Sequence, residues 1–156
     1  MESKINAADS LAKKLSRLRS KGKRIVFTNG CFDIIHLGHV EYLKKAKALG
    51  DVLVVGLNSD SSVRAIKGKA KPVNNEAARA KVLAAFYFVD FVTIFGEPTP
   101  EKLIKKLKPG ILVKGGDWKG KRIAGDSFVK SLGGRVVTVP FVKGYSTSGL
   151  IKRCAK

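Results

Sequence analysis

A short segment near the start of the chain constrains the fold more than any other. Residues 28–39 read Thr-Asn-Gly-Cys-Phe-Asp-Ile-Ile-His-Leu-Gly-His, and the run before them, residues 24–27, predicts a buried strand. Residues 40–49 have a helical pattern, Gly50 is suited to end that helix, and residues 51–57 predict a second, almost wholly apolar strand. Strand, helix and strand with short links form a right-handed βαβ unit, so the segment predicts a parallel sheet.

Both histidines of the chain, His36 and His39, lie at the predicted start of the helix in this unit. Residues three apart share a helix face, so the two imidazoles should project together from a helix N-terminus, where free N–H groups favour phosphate. Gly38 lies between them and lets a ligand approach the backbone closely. A zinc site is the alternative, but zinc needs a third ligand and usually a fourth, and Cys31 and Cys154 have no ligand spacing. We therefore predict no metal held by protein side chains alone.

The rest of the chain continues the alternation of helices and strands. Further strands are predicted over residues 89–95, 111–113 and 135–139, and helices over residues 76–86, 100–107, about 122–132 and 146–153. This order predicts an α/β fold: a doubly wound, Rossmann-like, parallel five-stranded sheet with helices on both faces.

An amphipathic helix is predicted before the first strand. Residues 6–20 carry Leu11, Leu15 and Leu18 at helical spacing, and Gly22 ends the pattern. We expect this helix to pack on the domain or on a partner subunit; a basic helix on a membrane surface is the alternative. The predicted organisation is an N-terminal helix in residues 1–22 and a nucleotide-handling domain in residues 23–156.

The charge of the chain restricts the class of ligand. It has 31 Lys and Arg against 12 Asp and Glu, a net charge of +19, which suits a polyanion such as a nucleoside triphosphate or a nucleic acid. No apolar run approaches the roughly 18 residues of a membrane span, and the N-terminus has no signal-peptide pattern. Two cysteines far apart in sequence fit a reduced cytoplasmic setting better than a disulfide framework.

Three other segments have the chemistry of a phosphate site. Residues 60–73 are rich in Lys, Gly and Ser and predict a mobile basic loop at the end of the second strand, either a phosphate-gripping flap or a merely exposed loop. Residues 146–148, Ser-Thr-Ser, start a helix with three hydroxyls, of which one could be an ordinary cap. Residues 114–118, Lys-Gly-Gly-Asp-Trp, follow the fourth strand.

These segments resemble the cytidylyltransferase-like nucleotidyltransferases, the superfamily named for its His-x-Gly-His motif. Its members join a nucleoside triphosphate to a phosphorylated acceptor and release pyrophosphate. The resemblance implies that His36 and His39 contact the triphosphate and stabilise charge on the α-phosphorus. Residues 146–148 resemble the family's C-terminal Ser-Thr-Thr motif, with Ser148 in place of the last Thr.

Residues 114–118 narrow the resemblance to one branch. Together with Ile-Ala-Gly at residues 123–125, they are similar to the heptose-phosphate adenylyltransferases, which usually form the second half of a bifunctional kinase/adenylyltransferase. The resemblance covers roughly residues 23–153. Glycerol-3-phosphate cytidylyltransferases share the core, but they carry an Arg where this chain has Phe141.

The resemblance implies a role for each matching residue. The catalytic residues would be His36, His39 and Lys67. Nucleotide-binding residues would be Asn29, Gly30, Cys31, Phe32, Gly38, Arg79, Gly116, Asp117, Ser146, Thr147 and Ser148. Acceptor-binding residues would be Asp33, Asn58, Asp60, Lys69 and Lys114. One departure concerns Arg79: the Glu usual two residues before it is Ala77 here, and Glu76 stands one residue earlier.

The implied reaction moves AMP from ATP to D-glycero-D-manno-heptose 1-phosphate, giving ADP-heptose and pyrophosphate. Mg²⁺ is expected to arrive with the triphosphate. The resemblance implies a homodimer with ATP and a sugar phosphate as ligands, and no membrane partner. Three alternatives stay open: a cytidylyltransferase for another small acceptor such as glycerol 3-phosphate, a basic nucleic-acid-binding module, and a fragment of a class I aminoacyl-tRNA synthetase. The chain lacks the basic stripe with interleaved aromatics that the second alternative requires. It is short for the third alternative and lacks the sequence Lys-Met-Ser-Lys-Ser.

Overall fold

The fold is built on a parallel sheet of five strands. A computed structural model describes residues 3–140 and 142–155; Phe141, which bears on the cytidylyltransferase alternative, lies outside them. The strands run in the order β3-β2-β1-β4-β5 and all pairs are parallel. Their bounds are β1 Ile25–Gly30, β2 Val52–Asn58, β3 Phe91–Phe95, β4 Ile111–Gly115 and β5 Arg135–Val139. The predicted five-stranded parallel sheet is confirmed.

The described residues form seven α-helices, and helices pack on both faces of this sheet. They are α1 Ala8–Ser20, α2 Leu37–Lys47, α3 Asp60–Lys67, α4 Glu76–Ala85, α5 Glu101–Leu107, α6 Asp126–Ser131 and α7 Thr147–Cys154. One core contains Leu43 of α2 and Leu83 of α4, and the opposite core contains Leu15 of α1, Leu107 of α5 and Val129 of α6. Because both faces are buried, β2 is apolar along most of its length, as expected of a doubly wound sheet.

The N-terminal helix packs on the sheet. Leu11 and Leu15 of α1 are fully buried in the core that also holds Leu103 and Ile104 of α5, and Leu18 packs against its edge. The helix ends where expected, with Gly22 at a φ of +77°, a conformation that glycine adopts without strain. The predicted apolar stripe therefore serves intramolecular packing.

The predicted mobile loop over residues 60–73 is wrong in its first half. Residues 60–67 form α3, and the Oγ of Ser59 caps it by accepting a hydrogen bond from the N–H of Ser62. Val63 is buried beneath the helix, so its packing outweighs a composition typical of a loop. An irregular connection is left only between Lys67 and the start of α4.

Smaller differences concern helix ends. The helix predicted from residue 100 begins at Glu101, with Pro100 in the capping position. Oδ1 of Asn75 caps α4 by accepting a hydrogen bond from the N–H of Ala78. No helix within the described residues is long and apolar enough to cross a membrane.

Candidate active site

A cavity of about 1160 Å³ opens at the carboxyl ends of the strands. The chain runs from β1 outwards to β2 and β3 and then returns to β4 on the other side of β1. Strand order therefore reverses between β1 and β4, which is where open α/β sheets bind ligands. The ends of these two strands, Asn29 and Gly30 on β1 and Lys114 and Gly115 on β4, line the cavity.

His36 and His39 meet in this cavity at the N-terminus of α2. His36 is the N-cap residue, and its carbonyl accepts a hydrogen bond from the N–H of His39 at 2.9 Å. The ring centroids lie 3.9 Å apart, with 31° between the ring planes. The expectation that the two imidazoles project together is confirmed.

Gly38 is required by the position of the His36 ring. A Cβ on Gly38 would lie 2.9 Å from both Cε1 and Nδ1 of His36, closer than van der Waals contact allows. It would also lie 3.4 Å from the Cβ of Tyr145. The glycine of the motif therefore makes room for the first histidine as well as for a ligand.

Burial favours the neutral form of both imidazoles. Burial lowers the pKa of His36, and burial with the nearby charges of His36 and Lys67 lowers the pKa of His39 to about 4. A neutral imidazole has one N–H to donate. The Nδ1 atoms of both rings are buried and have no hydrogen-bond partner among the described residues.

Phe32 holds the loop between β1 and α2 in an uncommon conformation. Its φ is +42°, in the left-handed region that costs a non-glycine residue on the order of 1–3 kcal/mol. Its ring is buried beside the ring of His39, with centroids 5.4 Å apart. A Cβ on Gly30 would lie 3.0 Å from this ring, so Gly30 allows the ring to fold back over β1.

Lys114 and Asn29 join β4 to β1 across the reversal point. The Nζ of Lys114 donates a hydrogen bond to Oδ1 of Asn29 and lies 5.2 Å from the ring centroid of Trp118. Lys114 is only 5% exposed, and burial lowers its pKa to about 8 although the charge of Asp117 acts in the opposite direction. A cation held at the floor of the cavity attracts anions strongly, because little water screens it.

Other groups that suit phosphate surround the histidines. Ser146 caps α7 by accepting a hydrogen bond from the N–H of Gly149 at 3.1 Å, so one hydroxyl of the Ser-Thr-Ser segment is an ordinary cap. Thr147 and Ser148 follow it in the first turn and also line the cavity. Lys67, at the end of α3, also lines the cavity.

Four of the predicted binding residues do not line the cavity: Arg79, Asp60, Lys69 and Gly116. Lys69 lies at the tip of a turn in which the N–H of Lys71 bonds to the carbonyl of Gly68, so Lys71 reaches the cavity instead. Gly116 lies in a 3₁₀ turn, and its neighbours Gly115 and Asp117 line the wall.

Arg79 and Asp60 pair with each other beneath the cavity. Nη2 of Arg79 donates to Oδ1 of Asp60 at 2.7 Å, and Arg79 is 1% exposed. Oε2 of Glu76 accepts a hydrogen bond from the N–H of Asp60 at 2.7 Å. The carboxylate that pairs with Arg79 is therefore that of Asp60, although the Glu usual two residues before this Arg is replaced by Ala77.

Asp33 and Asn58 line the cavity but also hold the structure around it. The carboxylate of Asp33 accepts hydrogen bonds from the N–H groups of Val73 and Asn74, at 2.7 and 2.8 Å. Nδ2 of Asn58 donates to Oγ of Ser62 at 2.9 Å. Asp33 thus attaches the connection before α4 to the histidine loop.

Several cavity residues were missed at the sequence level. Tyr42 of α2 lies on the floor, with its hydroxyl 2.7 Å from Oγ1 of Thr28 and donating to the carbonyl of Val113, and burial raises its pKa to about 12. Its helical spacing of three from His39 was the available signal. Arg122, Tyr145 and residues 98–101 also line the cavity, and no local pattern in the sequence marks them.

The described residues contain no group of three or more His, Cys, Asp or Glu side chains that could hold a metal ion. Asp117 lines the cavity, and none of the described residues forms a hydrogen bond with its carboxylate. One free carboxylate among cations suits an Mg²⁺ ion that is bound mainly by phosphate oxygens.

Comparison with known families gives a match over most of the chain. The family model described as "Cytidylyltransferase-like" matches residues 27–148. The bifunctional protein HldE of Geotalea uraniireducens is 53% identical over 152 residues, 97% of this chain and 31% of that protein. HldE of Campylobacter jejuni subsp. doylei is 55% identical over the same share of the chain. This chain thus spans about a third of the length of these relatives.

Two solved structures share the fold. A lipopolysaccharide core biosynthesis protein from Thermoplasma volcanium is 36% identical, with a TM-score of 0.65 over 80% of this chain and 100% of that chain. A pantoate-beta-alanine ligase from Francisella tularensis, complexed with an ATP analogue and beta-alanine, is 20% identical, with a TM-score of 0.63 over 96% of this chain and 72% of that chain. At that identity, the second likeness concerns the fold alone.

Proposed function

The chain belongs to the cytidylyltransferase-like family, and on that premise we propose that it transfers AMP from ATP to D-glycero-D-manno-heptose 1-phosphate. A phosphate oxygen of the acceptor attacks the α-phosphorus of ATP, the bond from that phosphorus to the bridging oxygen breaks, and pyrophosphate leaves. The products are ADP-heptose and pyrophosphate. The observation that carries the proposal is the pair of adjacent histidines that lines one cavity together with the buried Lys114.

The chemistry requires positioning and charge stabilisation rather than a strong base, because a phosphate monoester is already a nucleophile. In this proposal His36 and His39 donate N–H groups to the α-phosphate as negative charge builds up on it. Thr147 and Ser148, at the N-terminus of α7, hold the β- and γ-phosphates. Lys67 and Lys71 neutralise the leaving pyrophosphate.

Lys114 is the residue that we assign to the acceptor phosphate. It is buried at the strand reversal point and its Nζ is already oriented by Asn29. Trp118 lies against it and, with Asp117, shapes the end of the cavity beside β4. Because Lys114 to Trp118 is also the segment that resembles the heptose-phosphate branch, this placement supports a sugar 1-phosphate as acceptor.

Mg²⁺ would enter with the triphosphate, and Asp117 is the side chain that we expect to contact it or its water shell. The ion would neutralise part of the phosphate charge. We further propose a cytoplasmic homodimer, as the resemblance implies; the heptose kinase activity of a bifunctional protein is not assigned to this chain.

The test is pyrophosphate release by the purified chain with the heptose 1-phosphate and Mg²⁺, with ATP and CTP in parallel. Release with ATP and not with CTP is the expected result. Release with CTP alone would move the protein to a cytidylyltransferase branch while keeping the histidine roles. Release with neither nucleotide, after glycerol 3-phosphate and other small acceptors have been tried, would contradict the proposed activity.

A further inference from the structure

We propose that Arg79 positions the peptide between Cys31 and Phe32, so that the N–H of Phe32 points into the cavity and donates a hydrogen bond to a phosphate oxygen of the bound nucleotide. The inference rests on the proposed function, since it names a donor for that nucleotide. It replaces the direct nucleotide contact that the resemblance implies for Arg79 with an indirect role.

Each of the three guanidinium nitrogens of Arg79 donates a hydrogen bond to a protein oxygen. Nη1 donates to the carbonyl of Cys31 at 2.6 Å, and Nε donates to the carbonyl of Asn74 at 2.9 Å. Nη2 donates to Asp60 at 2.7 Å. With 1% of the residue exposed and no part of it lining the cavity, Arg79 has no path to a nucleotide.

The bond to Cys31 fixes the direction of the next N–H. In a planar trans peptide the C=O and the N–H point in opposite directions. The carbonyl of Cys31 points down to Arg79, which lies beneath the loop, while Cys31 and Phe32 themselves line the cavity. The N–H of Phe32 therefore points towards the cavity, and within the described residues it donates no hydrogen bond.

The conformation of Phe32 agrees with a peptide held in place by its surroundings. A non-glycine residue at a φ of +42° persists only where neighbouring contacts determine it. Those contacts are the Arg79 bond on one side and the packing of the Phe32 ring over Gly30 on the other. A donor fixed in this way needs no rearrangement when charge develops on the phosphate.

The test follows the Phe32 amide by NMR in ¹⁵N-labelled chain, with and without ATP and Mg²⁺, alongside turnover. The wild type should show a downfield shift of this amide proton when ATP binds. Arg79→Lys, which cannot engage three acceptors in a fork, should lose that shift, and kcat should fall about tenfold to a hundredfold, with a much smaller change in the KM for ATP. Arg64→Lys, at an exposed arginine of α3, is the matched control and should behave as wild type.

A Phe32 shift and a turnover that both survive in Arg79→Lys would overturn the inference. So would weaker ATP binding with an unchanged Phe32 shift, because that pattern indicates a direct contact by Arg79. If Arg79→Lys does not fold, Asp60→Asn loosens the same guanidinium and should show the same loss in weaker form; an unchanged shift there counts against the inference.

The same experiment separates this inference from the proposed function. A wild-type chain that binds ATP with no Phe32 shift contradicts the inference and leaves the activity standing. A Phe32 shift without transfer to the heptose phosphate supports the inference and contradicts the acceptor assignment. A chain that binds no nucleotide contradicts both.

Discussion

Burial favours the neutral form of the two cavity histidines, which lie among basic side chains. Burial and neighbouring positive charge lower the pKa of His39 to about 4, so this ring does not contribute a fixed charge at pH 7. In the proposed reaction the positive charge comes from Lys114, Lys67 and Lys71, which line the cavity, while the histidines supply directed N–H groups. At the residue scale, attraction and orientation of the phosphates are thus assigned to different side chains.

Gly38→Ala tests the orientation of His36. The new Cβ would lie 2.9 Å from the His36 ring, so the ring must turn away from its present position. We expect kcat to fall about tenfold to a hundredfold, the scale of misplacing a catalytic group, with the melting temperature nearly unchanged. Gly110→Ala is the control, because its Cβ meets nothing nearer than 3.8 Å. Equal turnover in the two variants would show that Gly38 does not set the orientation of His36 needed for turnover.

The lowered pKa of Lys114 predicts that kcat/KM for the acceptor depends on pH above neutrality. Its pKa of about 8 means that the ammonium, which attracts the acceptor phosphate, is lost as pH rises through that value. The kcat/KM for the acceptor should therefore fall between pH 7 and pH 9.5, with an apparent pKa near 8 in the free enzyme. Lys114→Gln should have a lower kcat/KM and no such fall. A basic limb that persists in the variant would assign the titration to another group.

At the element scale, helix ends at the carboxyl edge of the sheet form the site. The N-termini of α2 and α7 and the C-terminus of α3 all meet at the cavity, and each is fixed by packing farther along its helix or by its cap. The helix α1 lies on the opposite face of the sheet from α2 and serves the core rather than the cavity.

Leu15→Ala tests that structural role of α1. Leu15 is fully buried against α5, so its truncation should lower the free energy of unfolding by about 2–5 kcal/mol, measured by urea denaturation. Turnover at 25 °C should stay close to the wild-type value. Ser16→Ala, at the exposed neighbouring position, is the control. A loss of less than about 0.5 kcal/mol, the range of an ordinary surface change, would mean that α1 is not an integral part of the fold.

The strands and most of the helices could be predicted because their hydrophobic periodicity is local. The same holds for the histidine pair and the hydroxyls of α7, whose spacing along one helix start determines their proximity. The helix α3 was missed because Val63 is its one buried apolar residue, in a segment otherwise typical of a loop. The role of Arg79 was not accessible at all: its partners Cys31 and Asp60 come from other elements, and only the fold brings them together.

At the scale of the whole molecule, the net charge of +19 needs an explanation beyond the cavity. Lys67, Lys71, Lys114 and Arg122 line the cavity, so most of the basic side chains lie elsewhere on the chain. Such a field raises the rate at which anionic substrates arrive, and salt screens it.

The charge predicts salt-dependent kinetics. Raising the ionic strength from about 0.05 to 0.5 M should raise the KM for ATP severalfold and leave kcat nearly unchanged, because screening weakens long-range attraction more than contacts inside the cavity. Steady-state kinetics in NaCl provides the measurement. Binding of duplex DNA at sub-micromolar concentration in about 0.15 M salt, tighter than ordinary non-specific binding, would instead support the alternative of a nucleic-acid-binding module.

The most direct test of the central claim is ³¹P NMR of a reaction containing the chain, ATP, D-glycero-D-manno-heptose 1-phosphate and Mg²⁺. We expect equal amounts of pyrophosphate and a sugar–nucleoside diphosphate in the wild type. The rate in His39→Ala should be lower by at least about a hundredfold, the scale of losing a preorganised donor. Lys45→Ala, at an exposed site on the same helix, should form product fully. Pyrophosphate without the diphosphate sugar, or equal product formation by His39→Ala, would contradict the central claim.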